Sequence, residues 1–504
     1  MKRLLRAGVA LLAISSAKAE IGVNLDFMTD WSPAWSYVDG FKHARTWIPQ
    51  RISGTHPWDT GEKLDLTPEG WVRSLGDDQA AAALMFWDLQ GHYPGGIYTC
   101  LYDGVGELDF RGSAHVTDTS PGKVRVAVEP TSGGVILRVV KTDPGNPVRN
   151  IRFLMPGYED GRDIFHPLFL ETLNPFRVIR FMNWQRINTN PSGKWADRSM
   201  PDSITQRGAQ GVCIEHMVEL ANQTGSDPWF CMPHLADDDY VRNFAQLVKA
   251  RLDSRRKIYV EYSNEVWNGI FPQARHAQEM GRSLGLSNNE YEAQLRFYSQ
   301  RSVEVFKIWE EVFGGTNRLV RALAAHSANP NAGRMIVQWR DAGRNADALA
   351  IAPYFGSKLG GNANVSSLGV DEVLALCRED ILNQESIRKE NAATAKSFGL
   401  TLIAYEGGQH LVGTRGMENN DALNTLFASA NDHPAMKELY ALDQEQWRRV
   451  GGELFVAYKL TGTYSKSGFW GLLRWQDQPP GTAPKYQGLL QSKPTRRANG
   501  APGL

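Results

Sequence analysis

Beyond residue 165 the chain alternates between two hydrophobic patterns. Short apolar runs of strand length recur as "FRVIRFMNW" (176–184), "WFCMPHLA" (229–236), "KIYVEYSNEVWN" (257–268) and "RLVRALAAHS" (318–327). They continue as "ALAIAPYF" (348–355), "LTLIAYEGG" (400–408) and "LFVAYKL" (454–460). Between them lie longer stretches whose apolar residues return at helical spacing: 211–225, 237–254, 273–313, 371–398 and 418–451. Near-continuous apolar runs separated by amphipathic helices are the pattern of parallel strands covered on both faces. With "IGVNLDF" (21–27) the strand count reaches eight, so the fold class expected is α/β, a (β/α)8 TIM barrel. An open, doubly wound sheet is the rival, but no glycine-rich phosphate loop follows the first strand.

Residues 60–155 have a different pattern. Apolar and polar residues alternate over short runs, broken by Pro121-Gly122 and Gly133-Gly134, as in a small antiparallel sandwich. The expected organisation is a barrel from 20–59 and 156–480, interrupted by a β-sandwich at 60–155 and followed by a tail at 481–504. Residues 1–19 read as a signal peptide. Lys2, Arg3 and Arg6 precede an apolar run from Ala7 to Ile14, and Ala17-Lys18-Ala19 offers small residues at a cleavage point. That layout predicts export, to the periplasm or the medium. No later stretch has the length of a membrane span.

Composition narrows the partners. The 504 residues carry 55 Lys+Arg and 55 Asp+Glu, a balance that gives no basis for expecting nucleic acid or an anionic membrane surface. Fifteen tryptophans suit stacking on sugars, although a β-rich core also uses them. The four cysteines, Cys100, Cys213, Cys231 and Cys377, fit no zinc ribbon or small disulfide framework. They read as buried thiols, with a Cys213–Cys231 bridge as the alternative.

In a parallel barrel the chemistry sits at the C-terminal strand ends. There the chain puts Arg180 and Trp184, His234, Asn264 with Glu265, His326, Tyr354, Glu406 and, in the last loop, Trp470. Two carboxylates on one rim can divide an acid role from a nucleophile role when their surroundings separate their pKa values. Glu261 shares the strand-four parity and reads as a buried partner of a basic side chain. Asp237-Asp238-Asp239 beside His234 could suggest a metal, but three Asp at a helix start are more simply a cap; no metal or other cofactor is expected.

"YSNEVWN" and "AYEGGQ" resemble the fourth- and seventh-strand signatures of the clan A retaining glycoside hydrolases, which are (β/α)8 barrels. The wider text "WADRSMPDS", "DPWFCMPHLADDDYVRNFAQLVK" and "IYVEYSNEVWN" is similar to a bacterial group labelled cellulose-binding or glycoside-hydrolase-like. The resemblance covers roughly 156 to 475. It implies that Glu265 is the general acid/base and Glu406 the nucleophile, that Asn264 binds the sugar 2-OH, and that Trp470 floors the reacting sugar. It also implies that Arg180 and Tyr354 hydrogen-bond Glu406 and keep it ionised, and that His234 and His326 line the rim. Trp184 and Trp267 are expected to shape neighbouring sugar sites. The clan often has Pro after the strand-four Glu, whereas here Val266 follows, which leaves the subfamily open. The implied activity is retaining hydrolysis of β-linked glycans such as cellulose or another β-glucan, with a non-catalytic carbohydrate-binding protein or a transglycosylase as alternatives. The sequence does not specify the oligomeric state.

Overall fold

The computed structural model describes residues 20–491; the signal-peptide reading and the end of the chain lie outside the described residues. Eight parallel strands close into a barrel: β1 (Ile21–Asn24), β2 (Val178–Arg180), β3 (Asp227–Met232), β4 (Ile258–Tyr262), β5 (Leu319–Ala324), β6 (Ala348–Ile351), β7 (Thr401–Ala404) and β8 (Gly452–Ala457). Closure is between β8 and β1, with Gly22 opposite Val456. Gly22 is required there, since a Cβ would lie 2.9 Å from the Val178 carbonyl oxygen on β2. Nearly every strand residue is buried, because the inner face packs the barrel interior and the outer face meets the helices.

The helices end where local chemistry stops them. Asp237 accepts from the Tyr240 amide at the start of Asp238–Arg251, so the first of the three aspartates is a cap. Gly225 terminates Ile214–Thr224 in the left-handed conformation, φ +60°. The long helical readings resolve into pairs: 273–313 is Pro272–Ser283 and Glu290–Phe313, and 371–398 is Val370–Asn383 and Glu385–Ser397. All four cysteines are free and buried, so Cys213 and Cys231 form no bridge.

Two four-stranded antiparallel sheets stack between β1 and β2. One runs Arg45–Arg51, Gln79–Met85, Val135–Thr142, Gly106–Gly112; the other runs Arg149–Leu154, Gly96–Asp103, Lys123–Val128, Ala114–Ser120. The first sheet therefore begins at Arg45, upstream of the expected residue 60. The run "RTWIPQR" has no clean alternation because three consecutive residues, Ile48, Pro49 and Gln50, are all buried. The sandwich has its own aromatic core, and Trp475 from the loops beyond β8 is part of it. It docks on the C-terminal loops of the barrel. The Trp87 amide donates to the Asp30 carbonyl (2.7 Å), His92 stacks on Trp475, and the Gln476 amide donates to the Trp35 carbonyl. Its loops thus border the face where barrel chemistry is found.

Residues 481–491 of the segment expected as tail are among those described. Helix Pro484–Gln491 packs on Ala435–Arg449, and buries Lys485, Tyr486 and Leu489. Among the described residues, no helix is long and apolar enough to cross a membrane.

Candidate active site

Arg180, the last residue of β2, is wholly buried and organises the barrel mouth. Its Nη2 donates to Glu261 Oε2 (2.8 Å) and to Asn264 Oδ1 (2.9 Å), and its Nη1 donates to Asn24 Oδ1 (3.3 Å) and Glu406 Oε2 (3.4 Å). Glu261 is the buried partner that its parity on β4 requires. Its Oε2 also accepts from the Trp229 indole (2.9 Å). Tyr405 and Trp229 lie under the guanidinium at 5.0 and 5.4 Å, so the cation is held by charge, hydrogen bonds and ring faces together.

The chain leaves β4 in an unusual conformation. Ser263 (φ +59°) and Glu265 (φ +44°) are both left-handed, a costly backbone for residues with side chains. The turn directs Asn264 inward, where its Nδ2 donates to Asn188 Oδ1 (3.0 Å), while Gln273 holds its carbonyl (2.7 Å). Glu265 receives two neutral donors, Tyr405 Oη at 3.0 Å on Oε1 and Asn268 Nδ2 at 2.9 Å on Oε2. Burial raises its pKa above the ordinary carboxylate value, against those two donors.

Glu406 follows the tip of β7. Tyr354 Oη donates to its Oε1 (3.1 Å), and Arg180 reaches Oε2. The two glycines after it are needed: Gly408 has φ +123°, and a Cβ on Gly407 would stand 2.6 Å from the Phe455 ring. Burial, with the facing charge of Glu265, pushes Glu406 up to about 8. Arg180 and Tyr354 both pull it down, as expected of them, but burial and Glu265 outweigh them. Both contacts exist, but Arg180 gives its shorter contacts to Glu261 and Asn264, so burial prevails. The two carboxyls form one coupled pair in which one proton is favoured near neutral pH.

A cleft of about 490 Å³ opens beside the pair, lined by Glu265, Trp267, His326, Tyr354, Lys358 and His410 among others. Trp267 and His326 lie flat on one another, with centroids 4.1 Å apart and planes at 6°, and form one wall. Trp470 stands edge-on to Tyr354, Tyr458 and His410, so the last loop reaches the carboxylates through Tyr354.

Two expected residues are elsewhere. Trp184 is buried in a stack with Tyr37, Phe165 and Phe169 and offers no face to a ligand. Four residues past β2 the chain has already turned back under the loops, and the indole serves their packing. His234 is buried against His276 and is absent from the cleft wall; burial lowers it to about 4, so it is neutral. Sequence reasoning missed Tyr405, Asn268 and Asn188. Tyr405 and Asn268 stand inside the motifs "AYEGGQ" and "YSNEVWN", which was the available signal; Asn188 had none.

No family model matches the chain, and no curated protein matches it either. Among solved structures it is similar to the GH51 arabinofuranosidase from Xanthomonas axonopodis pv. citri, at 9% identity over 60% of this chain and 61% of that one, TM-score 0.41. It is also similar to GH10 from Paenibacillus barcinonensis, at 14% identity over 64% and 89%, TM-score 0.36. A third is the modular endo-beta-1,4-mannanase of Cellulomonas fimi, at 12% over 63% of each chain, TM-score 0.35. The chain thus spans less than two thirds of the arabinofuranosidase and of the mannanase, and TM-scores below 0.5 carry no argument about activity.

Proposed function

We propose that the protein is a retaining glycoside hydrolase acting on β-linked glycans, cellulose-like or another β-glucan. The observation that supports this most is the coupled pair Glu265 and Glu406 at the tips of β4 and β7, each carrying two hydrogen-bond donors beside an aromatic cleft. Donor chemistry divides the roles. Glu406 receives one cationic donor, Arg180, and Glu265 receives only neutral ones, so the shared proton belongs on Glu265 when a sugar fills the cleft. Glu406 then attacks the anomeric carbon and forms a glycosyl ester. The bond to the leaving oxygen breaks as Glu265 gives that oxygen its proton. Water next attacks the same carbon, Glu265 takes its proton, and Glu406 leaves with its electron pair restored. Asn264, anchored by Arg180 and Asn188, is the group for the sugar 2-OH. Trp470, Tyr354 and the Trp267–His326 wall hold the ring.

The test is hydrolysis of a polysaccharide and aryl-glycoside panel, with proton NMR of the first product. Retained anomeric configuration and loss of turnover in Glu406→Ala are expected. An inverted product, or full turnover in both Glu265→Ala and Glu406→Ala, would overturn the reading. Binding without hydrolysis across the panel would favour a carbohydrate-binding protein, and products longer than the substrate a transglycosylase. With residues 1–19 as a signal, the reading extends to an exported enzyme.

A further inference from the structure

Two guanidiniums share one carboxylate beside the loops that follow β1 and β2, and a third lies near one of them. Asp30, its side chain wholly buried, is bound by Arg45 Nη2 at 2.6 Å and contacted by Arg207 Nε at 3.1 Å. Arg186 is the third, near enough that its charge, like that of Arg45, opposes protonation of Arg207. Among the described residues Arg186 has no carboxylate within ion-pair distance, and its Nε is buried without a hydrogen-bond partner. Over the cluster stands Trp31, 45% exposed, with the Arg45 and Arg207 guanidinium carbons 5.4 and 5.2 Å from its ring centroid. Another cation of this side of the barrel mouth, Lys459, is balanced one-to-one by Asp26 at 2.8 Å.

An arrangement of this kind costs the folded protein. Like charges repel, and one buried carboxylate cannot neutralise three cations. Donors are also left over: Asp30 accepts from Nε and Nη2 of Arg45 but only lies 3.1 Å from Arg207 Nε, which has no hydrogen-bond partner, and both side chains are partly exposed. Free planar N–H groups beside an indole match a ligand that carries an anionic group on an apolar ring face. The cluster stands outside the cleft wall and connects to the site through its chain neighbours. Arg186 is two residues from Asn188, which holds Asn264, and Trp31 is on the loop that leaves β1 beside the site.

Resting on the reading of the cleft as a glycan site, we propose that Arg45 and Arg207 at Trp31, with Arg186 near Arg207, form an anion subsite, and that the substrate is an acidic glycan bearing a carboxylate or a sulfate ester. The shared requirement is a negative group on a sugar at the β1–β2 side of the cleft.

The full chain carrying Glu406→Gln serves as the binding reporter in calorimetry. The probes are cellohexaose, the equivalent β-1,4-linked oligoglucuronate and 6-O-sulfated cellohexaose, each at about 50 mM and about 300 mM salt. An anionic probe is expected to bind at least about tenfold tighter than the neutral one at low salt, with the advantage shrinking at high salt. Adding Arg186→Gln is expected to remove most of that advantage without lowering thermal stability, because the residue has no ion-pair partner to leave behind. Preference for oligoglucuronate assigns the subsite to a carboxylate, and preference for the sulfated probe to a sulfate ester. Equal affinity for neutral and anionic probes, absence of binding by every anionic probe, or indifference to Arg186→Gln would overturn the proposal. The readouts separate the two readings: neutral glycan hydrolysis without anion preference sinks only the subsite, and anion-selective binding without hydrolysis by the wild type sinks only the hydrolase.

Discussion

The Tyr405 hydroxyl donates a 3.0 Å hydrogen bond to Oε1 of Glu265, so the residue preceding one rim carboxylate in sequence is bound to the other. The bond favours the ionised form of Glu265 and partly offsets the upward push of burial. Tyr405→Phe removes the donor and keeps the ring over Arg180. Glu265 should then hold its proton to higher pH. A neutral hydrogen bond contributes about 0.5–1.5 kcal/mol, so the basic limb of the kcat profile, which reports the substrate complex, should move up by as much as about one pH unit. A pH–rate profile of the variant checks this; an unmoved or lowered basic limb would sink the acid role of Glu265.

Glu406 carries a stability consequence whose sign follows from its raised pKa. Between its ordinary value and about 8, the folded protein holds a proton that the unfolded chain has lost, so its contribution to stability falls as pH rises through that window. Glu406→Gln removes both the buried charge and its repulsion with Glu265. Its melting temperature should exceed that of the wild type by a margin that grows between about pH 5 and about pH 8. Parallel melting curves across that range would show that Glu406 titrates at an ordinary value.

The Arg180–Glu261 pair is fully buried on both sides, so removing one partner strands the other. Arg180→Met should cost about 3–5 kcal/mol, read from urea unfolding. Adding Glu261→Gln removes the orphaned charge and should restore a large part of that stability. Activity should not return, because Glu406 and Asn264 still lack the guanidinium that orients them. Recovery of turnover in the double variant would mean that Arg180 serves the core alone.

Trp267 contributes area rather than chemistry. It lies flat on His326 in the cleft wall and touches neither carboxylate through a hydrogen bond. Trp267→Ala should raise KM by about tenfold and leave kcat within about threefold, the pattern of an interaction equal in ground and transition states. A fall in kcat at unchanged KM would assign it a part in the chemical step.

Much of the barrel was legible because buried parallel strands cannot hide: "LFVA" is apolar on both faces, "IYVEY" is so apart from Glu261, and the polar tips stand out. The same logic located Asn264, Glu265, Glu406, Arg180 and Tyr354. It failed for Trp184, since an indole just past a strand tip reads alike whether the loop lifts it to solvent or folds it under. It also failed for Arg45–Arg51, whose consecutive buried residues break the alternation that marks a half-exposed strand. The balance between burial and donors at Glu406 was beyond sequence altogether, because it depends on how Arg180 divides its contacts among four acceptors.

Helix Pro484–Gln491 lies where a tail was expected, and Lys485 gives it a stake in the site. Its Nζ is buried, donates to Asn431 Oδ1 (3.0 Å) and to the Phe469 carbonyl, and stands 4.9 Å from the Tyr464 ring centroid. The same carbonyl accepts from Gln409, three residues past Glu406, and the next residue is Trp470. Burial lowers the amine to about 7, with Asp432 opposing the shift and Arg474 adding to it. Between about pH 7 and the ordinary lysine value of about 10.4 the unfolded chain binds a proton that the folded protein does not, so this residue makes stability rise with pH. Lys485→Met abolishes that titration and both hydrogen bonds. Measured by urea unfolding, its deficit against wild type should therefore be larger at about pH 9 than at about pH 6.5. Its KM should also rise as Trp470 loses the anchor of Phe469. A deficit that is constant with pH would show that the buried amine titrates as an exposed one does.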